Sequence, residues 1–93
     1  MIQLILFVLY FGNWRPPLTA QGVTRAVRRL DPTHSHNDIT AGLHKLAADG
    51  RITTVRNPHL PARFQLSDKG RRQTAAEAWF NSATWQARKK KLL

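Results

Sequence analysis

An apolar stripe followed by two short alternating segments is the feature that most restricts how this chain of 93 residues can fold. The stripe has the spacing i, i+4, i+7, i+8 and consists of Ile39, Leu43, Leu46 and Ala47. That spacing predicts an amphipathic helix with one buried face. Ser35 with Asp38 three residues later is typical of a helix N-terminus, and Gly50 is typical of the position just past a helix end. We therefore predict a helix within Ser35–Gly50.

A β-hairpin is predicted directly after this helix. Residues 51–56 and 62–67 are the candidate strands, and in the second of them Phe64 and Leu66 alternate with polar side chains. Residues 57–61 contain two prolines and predict the turn. The hairpin would present Arg56, His59 and Arg63 around its tip.

Three further helices are predicted around these elements. One begins after Thr19, a favourable capping residue, and runs to about Leu30. Residues 2–11 are apolar almost all round, which is typical of a short buried helix, and Gly12 with Asn13 predicts its end. At about 16 Å such a helix is too short to span a membrane. The expected single domain is mainly α with a small β-hairpin: a first helix over residues 1–11, two helices over 19–50, the hairpin over 51–67 and a last helix over 68–90.

The charge balance points to a polyanionic partner. Fifteen Lys and Arg face five Asp and Glu, which gives a formal net charge of +10. Such an excess suits nucleic acid, because basic side chains that neutralise phosphates release condensed counterions.

The chain has no cysteine, which fits a cytoplasmic protein. The spacing of the four histidines matches no zinc pattern, and the scattered acids with no Gly-rich phosphate loop predict a non-enzyme without metal or cofactor.

Two segments resemble winged helix-turn-helix proteins. Residues 39–52 (ITAGLHKLAADGRI) are similar to the recognition helix and following strand of MarR- and PadR-type repressors, in which apolar, Leu, Leu, acidic-Gly and apolar positions recur at this spacing. Residues 64–71 (FQLSDKGR) resemble the exit of the wing in those families. The resemblance covers about residues 18–72 and implies a winged helix whose recognition helix lies within Ser35–Gly50. MarR-type chains are usually longer and carry extra dimerisation helices.

The resemblance and the helical spacing together define a candidate DNA-reading surface. Turning the apolar stripe inward leaves an outer face whose side chains can bond to base edges in the major groove. This base-reading set is His36, Asn37, Thr40, Ala41, His44 and Lys45. Contacts to the DNA backbone are expected from Ser35, Arg25, Arg28, Arg56, His59, Arg63, Lys69, Arg71 and Arg72. A merely solvated helix face is the alternative.

The apolar first helix and the aromatic C-terminal region predict a homodimer, because together they carry more apolar surface than a small three-helix core can bury. The expected interface residues are Leu4, Phe7, Val8, Phe11, Trp79, Phe80 and Trp85. Trp85 falls off the stripe that holds Trp79 and Phe80. The alternative is that the two regions pack on each other within one chain.

The leading functional hypothesis is a sequence-specific regulator of transcription that binds double-stranded DNA, acts as a repressor by occupying an operator, and is cytoplasmic and nucleoid-associated. No membrane association or small-molecule ligand is expected. Two alternatives remain open: a non-specific or structural nucleic-acid binder, such as a ribosomal or replication-associated protein, and a protein-interaction module.

Overall fold

The computed structural model describes residues 2–11 and 17–92, and within these ranges the chain is mainly helical with one small antiparallel sheet. The elements in chain order are α1 (Ile2–Phe11), β1 (Leu18–Thr19), α2 (Ala20–Leu30), α3 (His36–Ala48), β2 (Ile52–Asn57), β3 (Leu60–Leu66), α4 (Asp68–Ala76) and α5 (Ala83–Leu92). The predicted helices over residues 2–11, 19–30 and 35–50 and the two hairpin strands are thus present. The end of the first helix predicted at Gly12 and Asn13 lies outside the described residues.

The two central helices begin at the residues that the sequence suggests. Thr19 caps α2 by accepting a hydrogen bond from the Gly22 amide at 3.1 Å, and Ser35 caps α3 by accepting from the Asp38 amide, also at 3.1 Å. Each hydroxyl satisfies an amide that has no partner inside its own helix. Gly50, at φ 76°, follows the end of α3 and turns the chain towards β2.

The sheet has the strand order β1–β3–β2, with both pairs antiparallel. Ile52 pairs with Leu66 at the base of the β2–β3 hairpin, and the register shifts between Val55 and Asn57 near its tip. Strand β1 pairs Leu18 with Phe64 and was not predicted. Two residues give no alternation to detect, so this strand exists only through its pairing with distant β3.

The core lies between α1, α2, α3 and the inner face of the hairpin. The side chains of α1 from Leu4 to Leu9 are buried, which agrees with a helix that is apolar on all sides. They pack against the inner faces of α2 and α3 and against the base of the hairpin. The contributing side chains include Val23, Val27, Ile39, Leu43, Leu46, Ile52 and Phe64.

Two predictions about element boundaries are wrong. The turn is shorter than residues 57–61, since β3 already begins at Leu60 and includes Pro61. The last helix over residues 68–90 is broken: α4 ends at Ala76 and α5 begins at Ala83. At the break, the Asn81 side-chain amide donates to the carbonyl oxygens of Ala75 and Glu77, both at 3.0 Å.

The break places Phe80 against the aromatic side chains of α1. It also allows α5 to pack against the same side of α1 through Trp85. Phe80 is 5% exposed, and its ring lies 4.7 Å from that of Tyr10 and 5.2 Å from that of Phe11. Trp85, predicted to fall off the helical stripe of Trp79 and Phe80, joins the same cluster, because its ring lies 4.8 Å from Trp79 and 5.3 Å from Phe7. A continuous helix would have separated these side chains.

Candidate nucleic-acid interface

A hydrogen bond between side chains ties the start of α3 to the middle of α2. Thr24 Oγ1 lies 3.0 Å from His36 Nδ1, and it also donates to the Ala20 carbonyl oxygen at 2.8 Å. Thr24 is buried, whereas His36 is exposed at the first turn of α3. The contact holds the first turn of α3 against the middle of α2. Base contacts were predicted for this N-terminal end of α3.

The base-reading residues predicted on α3 all lie away from its buried face. Asn37, Ala41, His44 and Lys45 are exposed. Thr40 is partly covered, and its hydroxyl donates to the backbone carbonyl of His36 at 2.9 Å. The solvent-facing surface of α3 therefore carries the predicted side chains, but their surroundings divide them into smaller groups.

A groove of about 740 Å³ separates α3 from the β2–β3 hairpin. From the predicted set it brings together His36, Thr40, His44 and Arg56. Its remaining lining comes from the end of α3, the start of α2 and the facing strands: Thr19, Ala20, Gln21, Ala47, Thr54, Pro61, Ala62 and Phe64. The walls combine hydrogen-bonding groups with apolar surface, and none of these lining residues is acidic.

The other predicted readers do not line this groove. Ala41 and Lys45 line a shallower depression of about 400 Å³ on the opposite flank of α3, together with Ile2, His34, Asp38 and Gly42. Asn37 lines neither of the two and stands exposed between them. The predicted set thus covers the outer surface of α3 and does not form one cluster.

The hairpin presents two of its three predicted contact residues to solvent. Arg56 and His59 are exposed, and the Asn57 side chain accepts a hydrogen bond from the His59 amide at 3.1 Å across the turn. Arg63 is partly buried, and its Nη1 donates to the Pro17 carbonyl oxygen at 2.9 Å. The Arg63 guanidinium is therefore held against its own chain, whereas that of Arg56 is free to reach outward.

Exposed basic side chains extend along α2 and α4. Arg25 and Arg28, predicted to contact phosphates, line a depression of about 640 Å³ that also includes Arg29 and His36. Arg29 was not in the predicted set, although its exposure follows from the same helical spacing. On α4 the exposed cations are Lys69, Arg71 and Arg72, of which Arg71 lies over the ring of Tyr10 at 5.0 Å.

Few of the Lys and Arg side chains in the described ranges form an ion pair with a carboxylate. Within residues 2–11 and 17–92, Arg51 is the one Lys or Arg with a carboxylate within 4.0 Å, at 3.1 Å from Glu77. Asp31, in the turn between α2 and α3, lies 3.3 Å from His34. Hydrogen bonds from the Thr33 hydroxyl and amide lower the pKa of Asp31. Across residues 20–66, which hold α2, α3 and the hairpin, seven Lys and Arg face three Asp, and most of the remaining positive excess lies on α4 and α5.

The residues predicted for a dimer interface are largely covered by their own chain. Leu4, Phe7, Val8 and Phe80 are at most 5% exposed. Phe11, Trp79 and Trp85 are partly exposed at the edge of the aromatic cluster. This is the intrachain packing that the sequence left open as an alternative, and the homodimer stays a prediction.

Among the described residues, no group of three or more His, Asp or Glu side chains is arranged to hold a metal ion. Thr74 is buried, and its hydroxyl has no hydrogen-bond partner in the described part of the chain. No helix within the described ranges is long and apolar enough to cross a membrane.

Comparison of the chain with protein-family models, with curated proteins and with solved structures finds no match.

Proposed function

We propose that the chain is a winged helix-turn-helix protein that binds double-stranded DNA and regulates transcription in a sequence-specific way. The observation that carries this proposal is the groove between α3 and the hairpin, beside largely unneutralised exposed cations. The element order α2, α3, β2, β3 supports reading α3 as the recognition helix and the hairpin as the wing. The resemblance over residues 18–72 points the same way.

In the proposed complex, α3 enters the major groove and its outer side chains contact base edges. Asn37 offers a bidentate amide for adenine, Ala41 can contact a thymine methyl group, and His44 and Thr40 offer hydrogen-bonding groups. The exposed Arg56 contacts the phosphates or the adjacent minor groove. Without an effector domain in the described residues, occupancy of an operator is the simplest means of repression.

Two copies bound to a palindromic operator would fit the usual symmetry of such regulators. The partly exposed rings of Phe11, Trp79 and Trp85 are the members of the predicted interface that a second copy could contact. The alternatives predicted from the sequence, a non-specific nucleic-acid binder and a protein-interaction module, differ in the outcome of the DNA experiments that follow.

Substitution of Arg56 tests the electrostatic part of the proposal. We expect Arg56→Ala to weaken binding to every duplex alike and to reduce the slope of log K against log salt by about one, because one phosphate contact is lost. Fluorescence anisotropy with a labelled duplex between low and moderate salt measures both quantities.

Arg63→Ala is the matched control on the same hairpin, since the Arg63 guanidinium is already bonded to Pro17. It should change the salt slope less than Arg56→Ala does. No binding to duplex DNA at low salt would refute the proposal and leave the protein-interaction module, and an unchanged slope for Arg56→Ala would remove the hairpin from the interface.

A further inference from the structure

The hydrogen bond between Thr24 and His36 determines which imidazole nitrogen carries the proton. Thr24 Oγ1 lies 2.8 Å from the Ala20 carbonyl oxygen and 3.0 Å from His36 Nδ1. A hydroxyl has a single hydrogen, and a carbonyl oxygen can only accept. The Thr24 hydrogen is therefore used towards Ala20, and the hydrogen in the second bond must come from His36 Nδ1.

In a neutral His36, this arrangement leaves Nε2 without a proton and makes it a hydrogen-bond acceptor. His36 is exposed and lines the groove between α3 and the hairpin. No described residue forms a hydrogen bond with Nε2, so its lone pair is available to a ligand in that groove. The acceptor character is fixed in the free protein, before any ligand binds.

We propose that Thr24 fixes His36 as an acceptor, and that His36 Nε2 reads the exocyclic amino group of an adenine or a cytosine in the major groove. The second half of this inference rests on the proposed DNA binding. Adenine N6 and cytosine N4 are the donors in the major groove, whereas guanine O6 and thymine O4 are acceptors. An acceptor held in place therefore favours adenine or cytosine over guanine or thymine at one position.

The two residues have different roles in this arrangement. His36 contacts the base and determines specificity, whereas Thr24 is a positioning residue, because it is only 8% exposed beneath α3. A purely structural role of Thr24 would affect folding stability alone. A positioning role also changes the tautomer of His36 and, through it, the preference for one base.

The tautomer is measured in the free protein by two-bond ¹⁵N–¹H correlation NMR at a pH of about 8.5, where histidine side chains are neutral. We expect His36 to be protonated at Nδ1 in the wild type. Thr24→Val keeps the shape but removes the hydroxyl, and should shift His36 towards the Nε2-protonated form. Thr24→Ser should retain the wild-type tautomer, and Thr84→Val, at an exposed helical position, is the matched control.

Protonation at Nε2 in the wild type, or an unchanged tautomer after loss of the Thr24 hydroxyl, would overturn the inference. Thr24→Ala provides the same comparison if Thr24→Val does not fold. This measurement involves no DNA, so its result is independent of the proposed function.

The base contact is tested with a duplex selected by the wild type from a random-sequence pool. At each adenine or cytosine in turn, an analogue without the exocyclic amino group (purine or 2-pyrimidinone) replaces the base. We expect one position at which the analogue weakens wild-type binding about five- to tenfold, as for the loss of one hydrogen bond. At that position the analogue should cost nothing further in His36→Ala, and less in Thr24→Val than in the wild type.

Equal analogue effects in the wild type and in His36→Ala at every position would overturn the base-reading role, although DNA binding would stand. Failure to select any duplex would overturn the proposed function and this role together, and the NMR result would still decide the tautomer.

Discussion

At the scale of single residues, the close approach of Gly70 to Arg51 explains why the segment FQLSDKGR carries a glycine at position 70. A Cβ added to Gly70 would clash with the Arg51 carbonyl oxygen, which is a backbone atom and cannot rotate away. That oxygen also accepts a hydrogen bond from the Ser67 amide at 3.1 Å. The glycine thus lets α4 begin directly against the end of the turn that follows α3.

We expect Gly70→Ala to lower the free energy of unfolding by about 2 kcal/mol, because the cost of the clash exceeds the gain in helix propensity. Urea denaturation followed by circular dichroism measures the change. Gly22→Ala is the matched control in α2, where the nearest atom to a new Cβ is a Leu18 side-chain carbon at 3.1 Å that can move. Equal stability of Gly70→Ala and the wild type would contradict the packing described at this site.

Sequence patterns predict some residue roles and miss others for a physical reason. The caps at Thr19 and Ser35 depend on neighbours three residues away and can be read directly from the sequence. The pairing of Thr24 with His36 joins residues on different helices, so it depends on how α2 and α3 pack. Arg63 was assigned to DNA for its charge, but its bond to Pro17 depends on the short strand β1 lying beside β3.

At the scale of elements, the helices with strong apolar periodicity and the hairpin were predictable, and the break between α4 and α5 was not. Residues 76–83 contain neither Pro nor Gly, and their local preferences allow a helix to continue. The burial of Phe80 among the rings of Phe7, Tyr10 and Phe11 outweighs that preference. Burial against a helix some 70 positions earlier in the chain leaves no local signal.

If burial of Phe80 maintains the break, Phe80→Ala should lower the free energy of unfolding by about 3–4 kcal/mol through lost burial and the cavity left behind. Leu60→Ala, at a position that is 56% exposed on the hairpin, is the control and should change the stability by less than about 0.5 kcal/mol. Thermal and urea unfolding of both variants provide the comparison. A small effect of Phe80→Ala would mean that the aromatic cluster contributes little to the stability of the chain.

At the scale of the whole molecule, the charge and the fold together support the proposed DNA binding, while oligomeric state is a separate question. The net charge of +10 could be read from composition, but which basic side chains lie exposed around α2, α3 and the hairpin required the structure. Spacing alone placed the base-reading set on the solvent-facing surface of α3. Its division between two flanks of α3 could not be predicted, because it depends on the positions of the hairpin and α1.

The predicted homodimer is tested by sedimentation at micromolar concentration. A dimer should have twice the 10.6 kDa mass of one chain. Trp79→Gln, at the partly exposed edge of the aromatic cluster, should then favour the monomer, whereas Val55→Gln, at an exposed position on β2, should not. A species that remains monomeric without DNA would contradict the prediction and would fit the intrachain packing of Phe7 and Phe80.

Selection of bound duplexes from a random-sequence pool, in the presence of excess competitor DNA, tests the central claim most directly. Sequence-specific recognition through α3 predicts that one motif is enriched, in two symmetric halves if two copies bind. Asn37→Ala should then alter the preference at one position by about 1–3 kcal/mol and leave the others unchanged. Enrichment of no motif, or equal losses on all sequences for Asn37→Ala, would contradict sequence-specific regulation and favour a non-specific nucleic-acid binder.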